Sequence, residues 1–130
     1  MQLTEVKTPG QKKEFLQVPK KLYRADPNWI CPLDSDIEDV FDERSNSLFR
    51  NGEAIRWILK DDQGNLTGRV AAFYNHDKAA KNEQPTGGMG FFECINDRPT
   101  AFLLFDACRN WLSSKGMEAM DGPVTFGENL

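Results

Sequence analysis

The stretch GGMGFFECINDRPTAF, residues 87–102, decides the architecture, because it runs from a buried strand through a tight turn into a helix. The apolar run MGFFECI at 89–95 suits a strand covered on both faces. Pro99 fits a first helical turn, and Ala101, Leu104, Phe105, Cys108, Trp111 and Leu112 then form a wide apolar stripe that ends at Gly116, a natural C-terminal cap. MEAMDGPVTF at 117–126 supplies a further strand. Strand, helix and strand in this order imply a parallel pair with a right-handed crossover. The turn after Ile95 then lies at the carboxyl end of a central strand, where ligands favour such sheets.

Upstream, the hydrophobic period is two from Ala54. Ile55, Trp57 and Leu59 point one way and Arg56, Ile58 and Lys60 the other, and after the turn DDQGN a second strand runs from Leu66 to Asn75, making a hairpin. HDKAAKNEQPTGG at 76–88 reads as a polar, mobile loop. LTEVKT at 3–8 reads as a short first strand before Pro9 and Gly10. Phe15, Leu16, Leu22 and Tyr23 share one side of two short helical pieces, with Pro19 expected at the start of the second. Pro27 and Pro32 bracket an extended link through Trp29 and Ile30. In PLDSDIEDVFDE, Asp34 or Ser35 is expected to cap a helix carrying Ile37, Val40 and Phe41.

Composition narrows the function classes. At 130 residues with 39% apolar content, the chain fits one domain with its own core and needs no disulfide or metal staple. A net charge of −4 argues against nucleic-acid binding through the whole surface, which needs a basic face. The N-terminus has no apolar stretch behind a positive region, and no window approaches a membrane span, so the expectation is a cytoplasmic protein with no membrane partner. Cys31, Cys94 and Cys108 lack CxxC spacing and His76 is the only histidine, so no metal site is expected and reduced thiols are the default.

Strand, two helices, hairpin, central strand, helix and strand resemble the first two-thirds of the GNAT superfamily of N-acetyltransferases. FLQVPKKLYRADPNWICPLDSD, GFFECIND and GPVTFGEN are similar to the N-terminal half of a subfamily of longer bacterial GNAT-like proteins. The resemblance spans Phe15 to Asn129 and implies an α/β fold with a mixed central sheet, helices on both faces and the C-terminal part of the fold missing. Residues 1–130 are then a single GNAT-like domain, incomplete at its C-terminus, or a short relative that completes its sheet in a homodimer. The resemblance also implies acetyl transfer from acetyl-CoA to an amine of unknown identity, with this chain alone inactive or weak.

In GNAT enzymes a turn with the pattern [RQ]-x-x-G-x-[GA] holds the pyrophosphate on backbone amides at a helix N-terminus. The matching turn here, Asn96 to Ala101, has no glycine, Pro99 lacks an amide and Asp97 adds a negative charge. The resemblance assigns Glu93 as general base, the backbone of Phe92, Cys94 and Ile95 to the pantetheine arm, and Arg98 with Thr100 to the pyrophosphate.

Each assignment has a plainer alternative: Glu93 on a solvated face or paired with an arginine, Cys94 as a core thiol, and Arg98 as an exposed helix-start residue. Trp29, Trp57, Phe91 and Phe92 line either an acyl or amine pocket or the core. Lys12, Lys13, Lys20, Lys21 and Arg24 lie near the acids of 34–43 as compensating solvated faces or a docking patch for an acidic ligand. A noncatalytic binding or assembly module with a degenerate cofactor turn is the alternative function.

Overall fold

The computed structural model describes residues 1–124. Five strands, β1 (Gln2–Glu5), β2 (Gly52–Lys60), β3 (Leu66–Asn75), β4 (Thr86–Cys94) and β5 (Ala119–Asp121), form one sheet in sequence order. The first four pair antiparallel and β5 runs parallel to β4. The crossover between β4 and β5 is α4 (Arg98–Ser114), which covers one face, while α1 (Pro9–Leu22) and α2 (Asp34–Val40) cover the other. The mixed sheet with helices on both faces is as expected. The final residues of the expected last strand lie outside the described residues.

The two faces are chemically different. On the α4 side Trp57, Leu59, Val70, Met89, Leu104, Cys108 and Leu112 make an apolar core. On the α1 side Phe15, Phe41 and Phe91 contact one another, and two buried arginines lie over their rings. Arg56 forks onto Glu38 at 2.7 and 3.2 Å. Arg69, 4% exposed, donates from Nη1 to the Phe15 carbonyl at 3.0 Å.

Three local expectations differ from what forms. Pro19 does not start a second helical piece, because α1 runs through it. A proline there removes the amide that would reach the carbonyl four residues back. That carbonyl belongs to Phe15, and Arg69 supplies the missing donor. Thr8 closes the front of α1 in a capping box with Gln11. At α2 neither Asp34 nor Ser35 is the cap: Leu33 holds that position without a side-chain hydrogen bond, and the first-turn acids Asp34 and Asp36 meet the helix dipole.

The hairpin and its DDQGN turn form as read, with β2 starting at Gly52. The segment at 76–88 is not loop throughout. A short helix, α3 (His76–Ala79), is capped by Asn75, and β4 already begins at Thr86. Gly87 and Gly88 belong to the strand because a Cβ on them would approach Leu112 and Phe73 to 2.5 and 2.3 Å. They are packing glycines.

Candidate active site at the end of strand β4

The decisive local feature is a bulge. Arg69 pairs with Glu93 and Ala71 with Gly90, so β4 spends three steps where β3 spends two, and Phe91 takes a φ of 50°. A bulky residue in that region is strained and persists only when its surroundings hold it. Here the rings of Phe15 and Phe41 do so, at 6.0 and 5.4 Å.

The bulge resets which face each residue meets. Met89 packs toward α4, and strict alternation would send Glu93 the same way. Instead Phe91 turns to the α1 face, Phe92 and Cys94 pack toward α4, and Glu93 meets the C-terminus of α1. There the Tyr23 hydroxyl donates to Glu93 Oε2. This bond, with burial second, pushes the Tyr23 phenol up to about 12. The Tyr23 ring meets Trp29 at 5.5 Å, and Arg69 stands opposite Glu93 on the neighbouring strand. Burial pushes the Arg69 guanidinium down to about 10, against the opposing pull of Glu93. Among the described residues Glu93 Oε1 takes no donor.

The turn beyond β4 is built differently from a phosphate cradle. Asp97 caps α4, accepting from the Thr100 amide at 3.1 Å and from the Thr100 hydroxyl, and its own carbonyl takes the Ala101 amide. Thr100 is 1% exposed with its hydroxyl committed, so it does not face an incoming phosphate as expected. Ile95 is likewise spent: its amide donates to Thr67 at 3.0 Å, and its carbonyl accepts from Asp97 at 2.7 Å. Alternation along the strand then turns the backbone of Phe92 and Cys94 away from β3. Beyond Gly88 the Val124 amide donates to the Met89 carbonyl at 2.8 Å, and among the described residues nothing pairs with Phe92 or Cys94 on that edge. Arg98 is exposed at the head of α4.

An acyl-CoA fits this frame in part. The open edge at Phe92 and Cys94 can pair with the amides of a pantetheine arm, and the Arg98 guanidinium can meet phosphate. A glycine-lined amide cradle is absent. Burial and the nearby Asp97 and Glu93 push the Cys94 thiol up, which argues against a nucleophile there.

Glu93 was legible from sequence as a strand carboxylate. Tyr23 and Arg69 as its neighbours were not, since Tyr23 reads as part of an apolar helix face and Arg69 sits in a strand with no pattern to mark it. Trp57 and Phe92 join the α4-side core, Phe92 stacking on Phe105 at 4.6 Å, and only Trp29 of the four aromatics stands beside Tyr23.

Known structures share this fold. The GNAT-family acetyltransferase from Staphylococcus aureus MU50 superposes with a TM-score of 0.62 over 92% of this chain and 69% of that one, at 14% identity. The fold is that of the GNAT acetyltransferases. AAC(6')-Iy, solved with the bisubstrate analogue CoA-S-monomethyl-acetylneamine, matches 98% of this GNAT-like chain and 81% of its own at a TM-score of 0.61 and 18% identity. In sequence, 129 residues are 33% identical to the bacterial ceramide synthase of Caulobacter vibrioides, covering 95% of this chain and 32% of that protein. The chain thus spans about a third of the length of this curated relative. No family model matches. Among the described residues no helix of the GNAT-like chain is long and apolar enough to cross a membrane.

Proposed function

We propose that this acetyltransferase-like domain takes part in acyl transfer from an acyl-CoA, acetyl-CoA in the simplest case, to an amine, with Glu93 as general base. The observation that carries this reading is the Glu93 carboxylate turned by the bulge to the α1 face, bonded by Tyr23 and beside an open strand edge. The name of the Caulobacter relative supports it, because a ceramide is an amide made on an amine nitrogen.

The acyl-CoA supplies an acyl group activated as a thioester. Glu93 Oε1 accepts a hydrogen bond from the ammonium form of the acceptor and removes one proton, freeing the nitrogen lone pair. Tyr23 remains protonated, holds Oε2 and fixes the carboxylate plane. The β4 edge aligns the donor, so that orientation contributes to the rate.

Calorimetric titration of acetyl-CoA tests the donor half. Binding that weakens about tenfold in Arg98→Ala, the loss of one charge-assisted contact, supports it. No binding at millimolar ligand, or indifference to Arg98→Ala, overturns it. Glu93→Gln should keep acetyl-CoA affinity while abolishing amine acylation. A second reading, a noncatalytic module, is favoured by the α4 N-terminus, where Asp97 already occupies the Thr100 amide and Pro99 has none. A module keeps its fold and partner affinity through both substitutions.

A further inference from the structure

We infer that the acyl donor is recognised by its pantetheine arm, the pyrophosphate adding no more than one contact at Arg98, so that an acylated pantetheine on coenzyme A or on a carrier protein is read by the same strand edge; this rests on the acyl-transfer reading above. A pyrophosphate at a helix N-terminus is held on backbone amides. The turn at 96–101 has few to give. Pro99 has none, the Asp97 amide donates to the Ile95 carbonyl at 2.7 Å, the Ala101 amide to the Asp97 carbonyl at 3.1 Å, and the Thr100 amide to Asp97 Oδ2 at 3.1 Å. The same carboxylate oxygen takes the hydroxyl of buried Thr100. Asp97 therefore puts an anion of the chain's own at the head of α4, and a pyrophosphate has either to displace its hydrogen bonds or to lie beside a like charge. That opposes binding and is more than a missing contact. The exposed Arg98 is the one cation of the turn.

The pantetheine arm meets the opposite situation. Glu93 and Ile95 turn their backbone to β3, Ile95 through the Thr67 carbonyl at 3.0 Å. Phe92 and Cys94 alternate with them and face outward, with nothing paired to them among the described residues. Pantetheine carries two amides in series, and two outward positions two residues apart each offer it an amide and a carbonyl. Phe92 stacks on Phe105 at 4.6 Å and Cys94 packs toward α4, so the edge is held from behind and little ordering is needed to use it.

The test separates the two halves of the donor by calorimetry. Acetyl-pantetheine keeps the arm and the thioester without phosphate, ADP keeps the nucleotide and pyrophosphate without the arm, and acetyl-CoA has both. Acetyl-pantetheine should bind within about tenfold of acetyl-CoA, the value of one charge-assisted contact, whereas a cradle of several amides would open a gap on the order of a thousandfold. ADP should not bind at millimolar concentration. Arg98→Ala should weaken acetyl-CoA alone and close the gap. Cys94→Pro removes an outward amide on a strand edge, where proline is tolerated, and should weaken both thioesters alike by about fivefold, with circular dichroism verifying the fold. The three-ligand comparison on the unaltered chain stands without that variant. An acetylated carrier protein distinguishes the sources: tighter binding of it than of acetyl-CoA assigns a protein carrier, and the reverse order assigns coenzyme A.

Acetyl-pantetheine weaker than acetyl-CoA by about a hundredfold or more, or ADP binding as well as acetyl-CoA, overturns the inference and leaves the transfer reading in place. Near-equal binding of the two thioesters by a chain that acylates no amine retires the transfer reading and leaves the arm site standing. Neither thioester bound at millimolar concentration removes both.

Discussion

Replacing Arg69 with methionine and restoring an amide at position 19 should be strongly non-additive. Arg69 is buried, its Nη1 is the donor on the Phe15 carbonyl, and its guanidinium lies over Phe15 and Phe91 at 4.6 and 5.4 Å. Arg69→Met loses two ring contacts of about 0.5–1 kcal/mol each and leaves a buried carbonyl without a donor, costing about 1–3 kcal/mol. Against this, burial holds the guanidinium near 10, a penalty on the charged form of about 3 kcal/mol that the substitution removes. The buried Nε has no partner either, so the charge is incompletely compensated where it stands. The terms nearly cancel, and the single variant should lose no more than about 2 kcal/mol.

The coupling should not cancel. Pro19→Ala returns the intrahelical amide that reaches Phe15, so in that background the carbonyl is no longer orphaned when Arg69 goes. The double variant should be more stable than the sum of the two singles by about 1–2 kcal/mol, measured by urea unfolding with unchanged m-values. Additivity within about 0.5 kcal/mol would refute the assignment of Arg69 as the surrogate donor for the proline-broken turn.

The chain has two tyrosines, and both phenols are pushed up to about 12, Tyr23 chiefly by its bond to Glu93 and Tyr74 by burial and then Glu53. Ultraviolet titration should therefore show roughly a tenth of the tyrosinate signal at pH 11, and half-ionisation near the ordinary value of about 10 would contradict both contacts. Because the folded state holds these protons more tightly than the unfolded chain, their stabilisation is complete below about pH 10 and is lost as pH rises through about 12. Gly52→Ala should cost about 3 kcal/mol or prevent folding, since its Cβ would fall 2.1 Å from the Tyr74 carbonyl, and thermal melting reads the loss. Gly10→Ala, with nothing nearer than 3.9 Å, should instead stabilise α1 by about 0.5–1 kcal/mol. A thiol reagent should modify Cys31 quickly and Cys108 only on unfolding, since burial pushes the latter up to about 12. Equal rates at the two would show that the α4 core is open.

The elements were legible where periodicity is strong. Alternation in 54–60 assigned Trp57 and Leu59 to one face and Arg56 and Ile58 to the other, and the stripe on 101–112 marked the buried side of α4. Boundaries failed where a distant partner replaced a local rule. Pro19 sits inside α1 because a side chain 50 positions further on, Arg69, satisfies the carbonyl it frees. Gly87 and Gly88 look like loop residues alone and become strand residues only against Leu112 and Phe73. Thr100 and Ile95 looked available for a ligand because Asp97 reads from the turn as a charge and not as the cap that takes the Thr100 hydroxyl, and Thr67, the partner of Ile95, lies on another strand.

The bulge at Phe91 decides which face of the sheet Glu93 meets. It is one residue of excess, yet it moves Glu93 from the α4 core to the α1 face, where Tyr23 and Arg69 stand. Register alone would have buried a carboxylate among Met89, Leu104 and Phe105, at a cost of several kcal/mol for an unpaired ion. The same step keeps Phe92 and Cys94 on the α4 side. Phe91 bears the backbone strain, and the aromatic cluster under α1 holds it in place. A strained residue held by a dedicated cluster, beside a half-buried carboxylate and an open edge, is the arrangement expected of a site rather than of a scaffold.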